Sequence, residues 1–283
     1  MLKPDKMNEI ADQMLSTQIQ IIALQEIKWK EHGKIKKNMY SLYYSCSQQW
    51  MGQLGTGFMV RKEVEKNIIS FTPLNERICI LRLKGKFYNI TLINVHAPTE
   101  QKMEEEKDKF YDDLQKVYDR VPKHDIIMIL GDLHAKISKE KAYETVTGKY
   151  TLHDVPNQNG EMVCNFAIEN NMTVMSTQFQ HKTTHKVTWI SPDLTTVNQT
   201  DHKLIHTYKN KTVQNVRTLR GPNCDSDHFL VKTIIKQQPI ITPRRNTENR
   251  KKWNLENIRN PVKLKQYRQK INEKLLQKME KKK

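Results

Sequence analysis

Apolar residues along this chain follow two rhythms. Met7, Ile10, Ala11 and Met14 recur at i, i+3, i+4 and i+7, which predicts an amphipathic helix over residues 5–16 behind Pro4 and Asp5. Phe110, Leu114, Val117 and Val121 repeat that spacing within 104–121, and Pro122 stops the helix. Val163, Phe166 and Ala167 predict a shorter helix over 161–170, with Asn159-Gly160 as the turn leading into it. Between the helices run short apolar or β-branched stretches bounded by Gly, Pro and Asn, at 19–24, 40–45, 57–60, 78–83, 87–95, 125–130, 172–176, 213–219 and 229–235. These read as strands. Many strands, few helices and no repeat period predict an α/β fold, and the uneven spacing favours two sheets with outer helices over a plain βαβ series.

Around Gln237 the pattern changes. Pro239, Pro243 and the clusters Arg244-Arg245 and Arg250-Lys251-Lys252 read as a solvated linker. A thin helical stripe of Leu264, Tyr267, Ile271 and Leu275 follows, with too little apolar surface to fold alone. The expected division is therefore a folded domain at 1–236 and a basic segment at 237–283. Charge sharpens that division. The chain carries 48 Lys and Arg against 31 Asp and Glu, a net of +17. Residues 236–283 hold 16 against 4, a net of +12, which leaves 32 against 27, or +5, for residues 1–235. Attraction to a polyanion thus belongs mainly to the segment, where Arg244, Arg245, Lys251 and Lys252 are the candidate phosphate contacts.

The same clusters are of the kind that direct proteins to the nucleus. No apolar run approaches the roughly 18 to 20 residues of a membrane span and no apolar leader opens the chain, so an intracellular protein without a membrane partner is expected. Cys46, Cys79, Cys164 and Cys224 are scattered without a CxxC pair, which argues against a disulfide framework and against a cysteine-based zinc site. His181 with His185, and His202 with His206, have the four-residue spacing of metal ligands on a helix.

Several apolar strands end in acids or imidazoles: Glu26 after 21–24, His96 after 90–95 and Asp132 after 126–130. Asp201-His202 follow, and then Asp225, Asp227 and His228 just before the last strand. One acid at a strand end is an ordinary surface group. Five such endings predict convergence at one sheet edge, where carboxylate oxygens would hold Mg²⁺ or Mn²⁺ and imidazoles would contact phosphate. No Gly-rich phosphate loop or nucleophile elbow competes with this reading.

Gln25-Glu26, Asn94-Val95-His96-Ala97-Pro98-Thr99, Gly131-Asp132-Leu133-His134-Ala135, Thr188-Trp189, Asp201-His202 and Ser226-Asp227-His228 occur in that order. The set resembles the exonuclease-endonuclease-phosphatase superfamily, in particular the apurinic-endonuclease-like domains of non-LTR retrotransposons and the craniofacial development protein 2-like proteins. The likeness covers about residues 7–236. It implies a four-layer α/β sandwich and Mg²⁺-dependent hydrolysis of a phosphodiester in DNA. By the same resemblance Glu26 is the principal metal ligand with Asp227 assisting, Asp132 orients or deprotonates the attacking water, and Asp201 polarises His228 against the scissile phosphate. His96 stands where the apurinic enzymes carry a phosphate-contacting Tyr. Trp189 is either rim packing or a platform for a base. Residues after 236 look like the lead-in to a reverse transcriptase, with a polymerase once encoded downstream.

Three departures from the family pattern matter. An opening strand bearing Trp-Asn is lacking, which predicts an exposed sheet edge or a cavity lined by apolar strand residues. His134 replaces an Asn; a neutral imidazole has one donor and one acceptor in another geometry, and an imidazolium repels Mg²⁺. Thr200 and Lys203 interrupt what should be apolar strand. The expectation is a nuclease fold with impaired activity. Two other readings stay open: a non-catalytic nucleic-acid-binding remnant that relies on its basic segment, and a phosphatase of the same superfamily.

Overall fold

The computed structural model describes residues 5–48, 54–222, 226–237 and 260–280. Arg244, Arg245, Lys251, Lys252, Cys224 and Asp225 lie outside these residues. The chain forms two compact units, Met1–Gln238 and Pro239–Lys283.

The first unit opens with α1 (Lys6–Ser16), β1 (Ile21–Leu24), β2 (His32–Lys36), β3 (Tyr40–Ser45), β4 (Thr56–Arg61) and the single turn α2 (Lys62–Glu65). It continues through β5 (Ile68–Pro73), β6 (Ile78–Leu83), β7 (Ile90–His96), α3 (Glu104–Arg120), β8 (Ile126–Asp132), α4 (Gln158–Glu169) and β9 (Met172–Val174). The short pair β10 (Trp189–Ile190) and β11 (Val197–Asn198) precedes β12 (Asp201–His206), β13 (Val213–Leu219) and β14 (Leu230–Ile235). In the second unit α5 (Pro261–Glu280) leaves Tyr267, Ile271 and Leu275 of its apolar stripe exposed.

Several elements differ from the sequence expectation. Residues 87–89 are not strand: the Gln237 amide accepts from Phe87 N–H and donates to the Tyr88 carbonyl, so these backbone groups pair with a side chain. The Asn159-Gly160 pair lies inside α4, because Asn157 starts the helix by accepting from Gly160 N–H at 2.8 Å. Residues 175–177 tighten into a 3₁₀ turn that ends β9 early. The strands β2 and β5 are absent from the sequence expectation and β12 enters it only through the family resemblance, since β2 is a lysine-rich half-exposed strand and β12 opens Asp-His-Lys. Neither histidine pair lies on a helix. His202 and His206 are on β12, where four residues span about 13 Å, and His181 and His185 hydrogen-bond Asn215 and the Thr218 carbonyl at 2.8 and 3.0 Å.

Among the described residues two main sheets are formed, one in the order β1-β4-β3-β2 and one in the order β5-β6-β7-β8-β12-β9. The second is antiparallel except for β7 and β8, whose parallel pairing is joined through α3. Its central strands are covered on both faces, which is why they read as unbroken apolar runs. On β8, Ile127 and Ile129 pack towards α3 and α4 with Phe110, Leu114, Val163 and Phe166, while Ile126 and Met128 pack with Phe58 and Val60 of the other sheet. The outer face of the first sheet is covered by Met7, Ile10, Ala11 and Met14 of α1. This is a mixed α/β fold.

Two further strands form the ribbon β13-β14. Both β1 and β14 have one edge without a strand partner among the described residues, and both line a cavity of about 860 Å³. Phe58, Leu92, Met128 and Leu130 also line it.

Candidate active site

Strand register assembles the site. His96 pairs with Asp132 across the parallel β7–β8 ladder, and Asp132 pairs with Asp201 across the antiparallel β8–β12 ladder. Directly paired residues point to the same face, so three side chains separated by 35 and 68 intervening residues stand in one row about 4.8 Å apart from strand to strand. That face is the one between the sheets, because Ile126 and Met128 on β8 and Ile205 on β12 alternate in step with Asp132 and Asp201. The row closes the inter-sheet core at the strand ends.

Backbone devices hold the row. Gly131 has φ +145, and a Cβ there would run into the Val95 carbonyl, so only glycine lets β8 pass β7 this closely. The Thr188 hydroxyl accepts from Thr200 and Asp201 N–H at 2.9 and 3.2 Å, fixing the start of β12. Asn94, fully buried, donates to the carbonyls of Leu24 and Gly57 at 2.9 and 2.8 Å and accepts from Gln25. It thereby ties the end of β1 to β7, and so positions Glu26 relative to the row. Glu26 itself is exposed, with φ +53 and an ion pair to Lys28 at 3.0 Å, and it lines the cavity.

His228 reaches the row from the segment before β14, whose backbone bridges to Trp189. Its Nδ1 donates to Asp201 Oδ2 at 3.1 Å and its Nε2 lies 3.6 Å from Asp132 Oδ2. Burial works against a charged imidazole here, but the Asp201 carboxylate prevails and takes the pKa up to about 10. The partner moves the opposite way: burial disfavours the Asp201 carboxylate, and the His228 imidazolium overrides it, down to about 2. Asp132 is left as the weaker acid. Burial and the neighbouring Asp201 charge raise it to about 7. Asp227 is exposed and accepts from the Trp189 indole N–H at 2.7 Å, so these two predicted site residues hold each other.

His134 follows the row with φ +47 and donates its N–H to Asp132 Oδ1 at 3.0 Å. Its imidazole Nε2 lies 3.4 Å from Asp132 Oδ2, and its ring centroid is 5.4 Å from that of His96. His202 points to the other sheet face. There it bridges Ser176 Oγ and the Ala135 carbonyl at 2.7 and 2.8 Å as a neutral imidazole, its pKa lowered by burial to about 4. It supports the loop and takes no place in the row.

Sequence reasoning missed Asn157, whose amide donates to the His134 carbonyl at 2.8 Å and accepts from Lys136 N–H at 2.7 Å. An Asn before a predicted helix was the available signal. It also missed that Lys203 is buried on the same strand face as Asp201. Burial lowers the ammonium, the Asp201 and Asp132 charges oppose that, and the side chain lines the cavity.

No family model matches the chain. Craniofacial development protein 2 from Tragulus javanicus and from Bos taurus is 31% identical over 243 residues, 86% of this chain and 42% and 40% of those proteins. The chain thus spans about two fifths of the length of these curated relatives. The endonuclease domain of TRAS1, a telomere-specific non-LTR retrotransposon, superposes with a TM-score of 0.54 at 13% identity, covering 83% of this chain and 94% of that domain. An endonuclease/exonuclease/phosphatase family protein from Leptotrichia buccalis gives 0.55 at 14%, covering 83% and 96%. The fold is that of the exonuclease-endonuclease-phosphatase superfamily. Another structure with the superfamily fold, the 3′ phosphatase NExo from Neisseria bound to product DNA hairpin, gives 0.58 at 14%, covering 83% and 95%. No described helix is long and apolar enough to cross a membrane.

Proposed function

We propose that the chain is a divalent-metal-dependent phosphodiesterase acting on DNA, built on a four-layer α/β sandwich. The observation that carries this reading is the Asp132–His228–Asp201 cluster, whose Asp201 and His228 line the cavity that Glu26 and Asp227 also line. Asp132, with its proton affinity near neutrality, takes the proton of an attacking water. Asp201 keeps His228 charged, and the loosely engaged Nε2–H donates to a phosphoryl oxygen. Glu26 and Asp227 offer hard oxygen donors that fit Mg²⁺ or Mn²⁺, which when bound stabilises charge developing on the phosphate. DNA as substrate is supported by the neighbour NExo, which is bound to product DNA hairpin, and by the +12 segment at 236–283.

Plasmid nicking and cleavage of an abasic duplex in Mg²⁺ test the reading. Asp132→Asn and Glu26→Ala are expected to lower turnover about 100-fold or more; undiminished turnover in either overturns these assignments. One observation favours a binding-only protein: the buried Lys203 ammonium offsets negative charge at Asp132 and Asp201 that attracts a cation. Salt-sensitive DNA binding without turnover, unchanged by Glu26→Ala, is its signature.

A further inference from the structure

His96 and His134 form a corner of the site that the hydrolysis reading does not use. His96 is 5% exposed at the end of β7, anchored by its N–H to the Arg77 carbonyl at 2.9 Å and by its carbonyl to the Arg77 guanidinium at 3.2 Å. Its Nδ1 and the Nε2 of His134 are both buried without a hydrogen-bond partner. Burying a nitrogen that way is unfavourable, and one of the two, His134 Nε2, lies 3.4 Å from Asp132 Oδ2. One ligand atom from each of His96, Asp132 and His134 lies within 4.8 Å of the others.

We infer that His96, Asp132 and His134 form a binding site for a borderline transition-metal ion of the Zn²⁺ or Co²⁺ class, distinct from the oxygen donors of Glu26 and Asp227. Imidazole nitrogen suits such ions, whereas Mg²⁺ takes oxygen and keeps its waters. Arms of about 2.1 Å set tetrahedral ligand atoms about 3.4 Å apart, and the His134–Asp132 edge already measures 3.4 Å. Neither His96 Nδ1 nor His134 Nε2 has a hydrogen-bond partner that would occupy it, so both ring nitrogens are free to face an ion. The ligands are braced from behind. Asp132 Oδ1 is held by His134 N–H, and Asn157 grips the His134 carbonyl. The other acid–imidazole cluster, Asp132 with Asp201 and His228, falls within the same spacing, but its imidazole is already engaged with Asp201 through Nδ1 at 3.1 Å, whereas the nitrogens of the His96–His134 corner have no partner. The inference stands on this corner alone and does not require the hydrolysis reading.

Metal-free full-length chain titrated with Co²⁺ tests it, read by visible d–d absorption and by calorimetry without any substrate. The expected result is one Co²⁺ per chain with the strong absorption of a low-coordinate nitrogen site, displaced by Zn²⁺ and not by a thousandfold excess of Mg²⁺. His96→Ala and His134→Asn are each expected to weaken Co²⁺ binding about 10-fold or more, and His228→Gln to keep or strengthen it by removing a nearby positive charge. Wild-type protein also reports directly, through shifts of the His96 and His134 ring resonances on Zn²⁺ addition, so an unfolded variant leaves the test intact. Absence of the absorption band, displacement by Mg²⁺, or ring resonances unmoved by Zn²⁺ overturns the inference.

Discussion

Two imidazoles approach the same oxygen, Asp132 Oδ2, at 3.6 Å for His228 and 3.4 Å for His134. Their side chains are similarly shielded, 30% and 23% exposed, yet one is held at about 10 and the other at about 4. Residue type, depth and distance to the shared acid do not separate them. The second neighbour does: His228 has Asp201 on its other nitrogen at 3.1 Å, and His134 faces the His96 ring. A hydrogen-bonded carboxylate makes one imidazole a cation suited to phosphate, whereas at His134 burial outweighs the more distant Asp201 charge and favours the neutral ring.

The strongest way to break this comparison is Asp201→Asn. His228 then keeps only the looser contact to Asp132, so its pKa is expected to fall from about 10 towards the ordinary histidine range, read by ring-proton NMR, with nicking reduced about 100-fold or more. A ring that still titrates near 10 would falsify the assignment of its charge to Asp201.

Changing pH probes both imidazoles at once. Turnover is expected to rise through about pH 7 as Asp132 ionises and to fall towards pH 10 as His228 loses its proton. Stability follows separate rules. The raised His228 contributes fully below the unfolded histidine value of about 6.5, and its contribution disappears as pH rises through about 10. Asp201 is depressed, so its contribution is present above about pH 3.9 and lost as pH falls through about 2. His134 and His96, also depressed, withhold in the folded state protons that the unfolded chain binds below about 6.5. Stability therefore drops as pH falls from about 6.5 towards 4 and 3. Urea unfolding across pH checks these slopes, and His134→Asn should flatten the acid limb. The same variant supplies an amide at position 134 and is expected to raise the Mg²⁺-supported rate a few-fold, measured by nicking; an unchanged rate removes His134 as a cause of weak activity.

The smallest effect comes from loosening one corner alone. Asn157→Ala removes the cap of α4 and the amide on the His134 carbonyl, and should lower stability by about 1 kcal/mol in thermal unfolding. The His228 ring resonance should stay in place. A shift there as large as at His134 means that the two corners are mechanically one.

Much of the fold could be read along the chain, because strands buried on both faces, such as β7 and β8, must be apolar throughout, and amphipathic α1 and α3 must repeat every three to four residues. Two strands that apolar periodicity does not reveal share a cause. β2 is half exposed and β12 carries Asp201, His202 and Lys203, so neither shows the expected periodicity. At the site, motif order brought out Glu26, His96, Asp132, Asp201 and His228 as residues worth following. It gave no view of Asn94 as the tie between sheets, of Asn157 behind His134, or of Trp189 hydrogen-bonded to Asp227.

Local pattern alone determined which faces are apolar, where strands end in acids, and that most of the charge lies after residue 235, since each depends on neighbours within a few positions. Tertiary structure decided the row His96–Asp132–Asp201, the burial of Lys203, the cavity shared by the open edges of β1 and β14, and the opposite charges of His228 and His134. Those follow from register between strands far apart in sequence. A period of two states which face a side chain occupies, and only the pairing partner states which charge stands beside it.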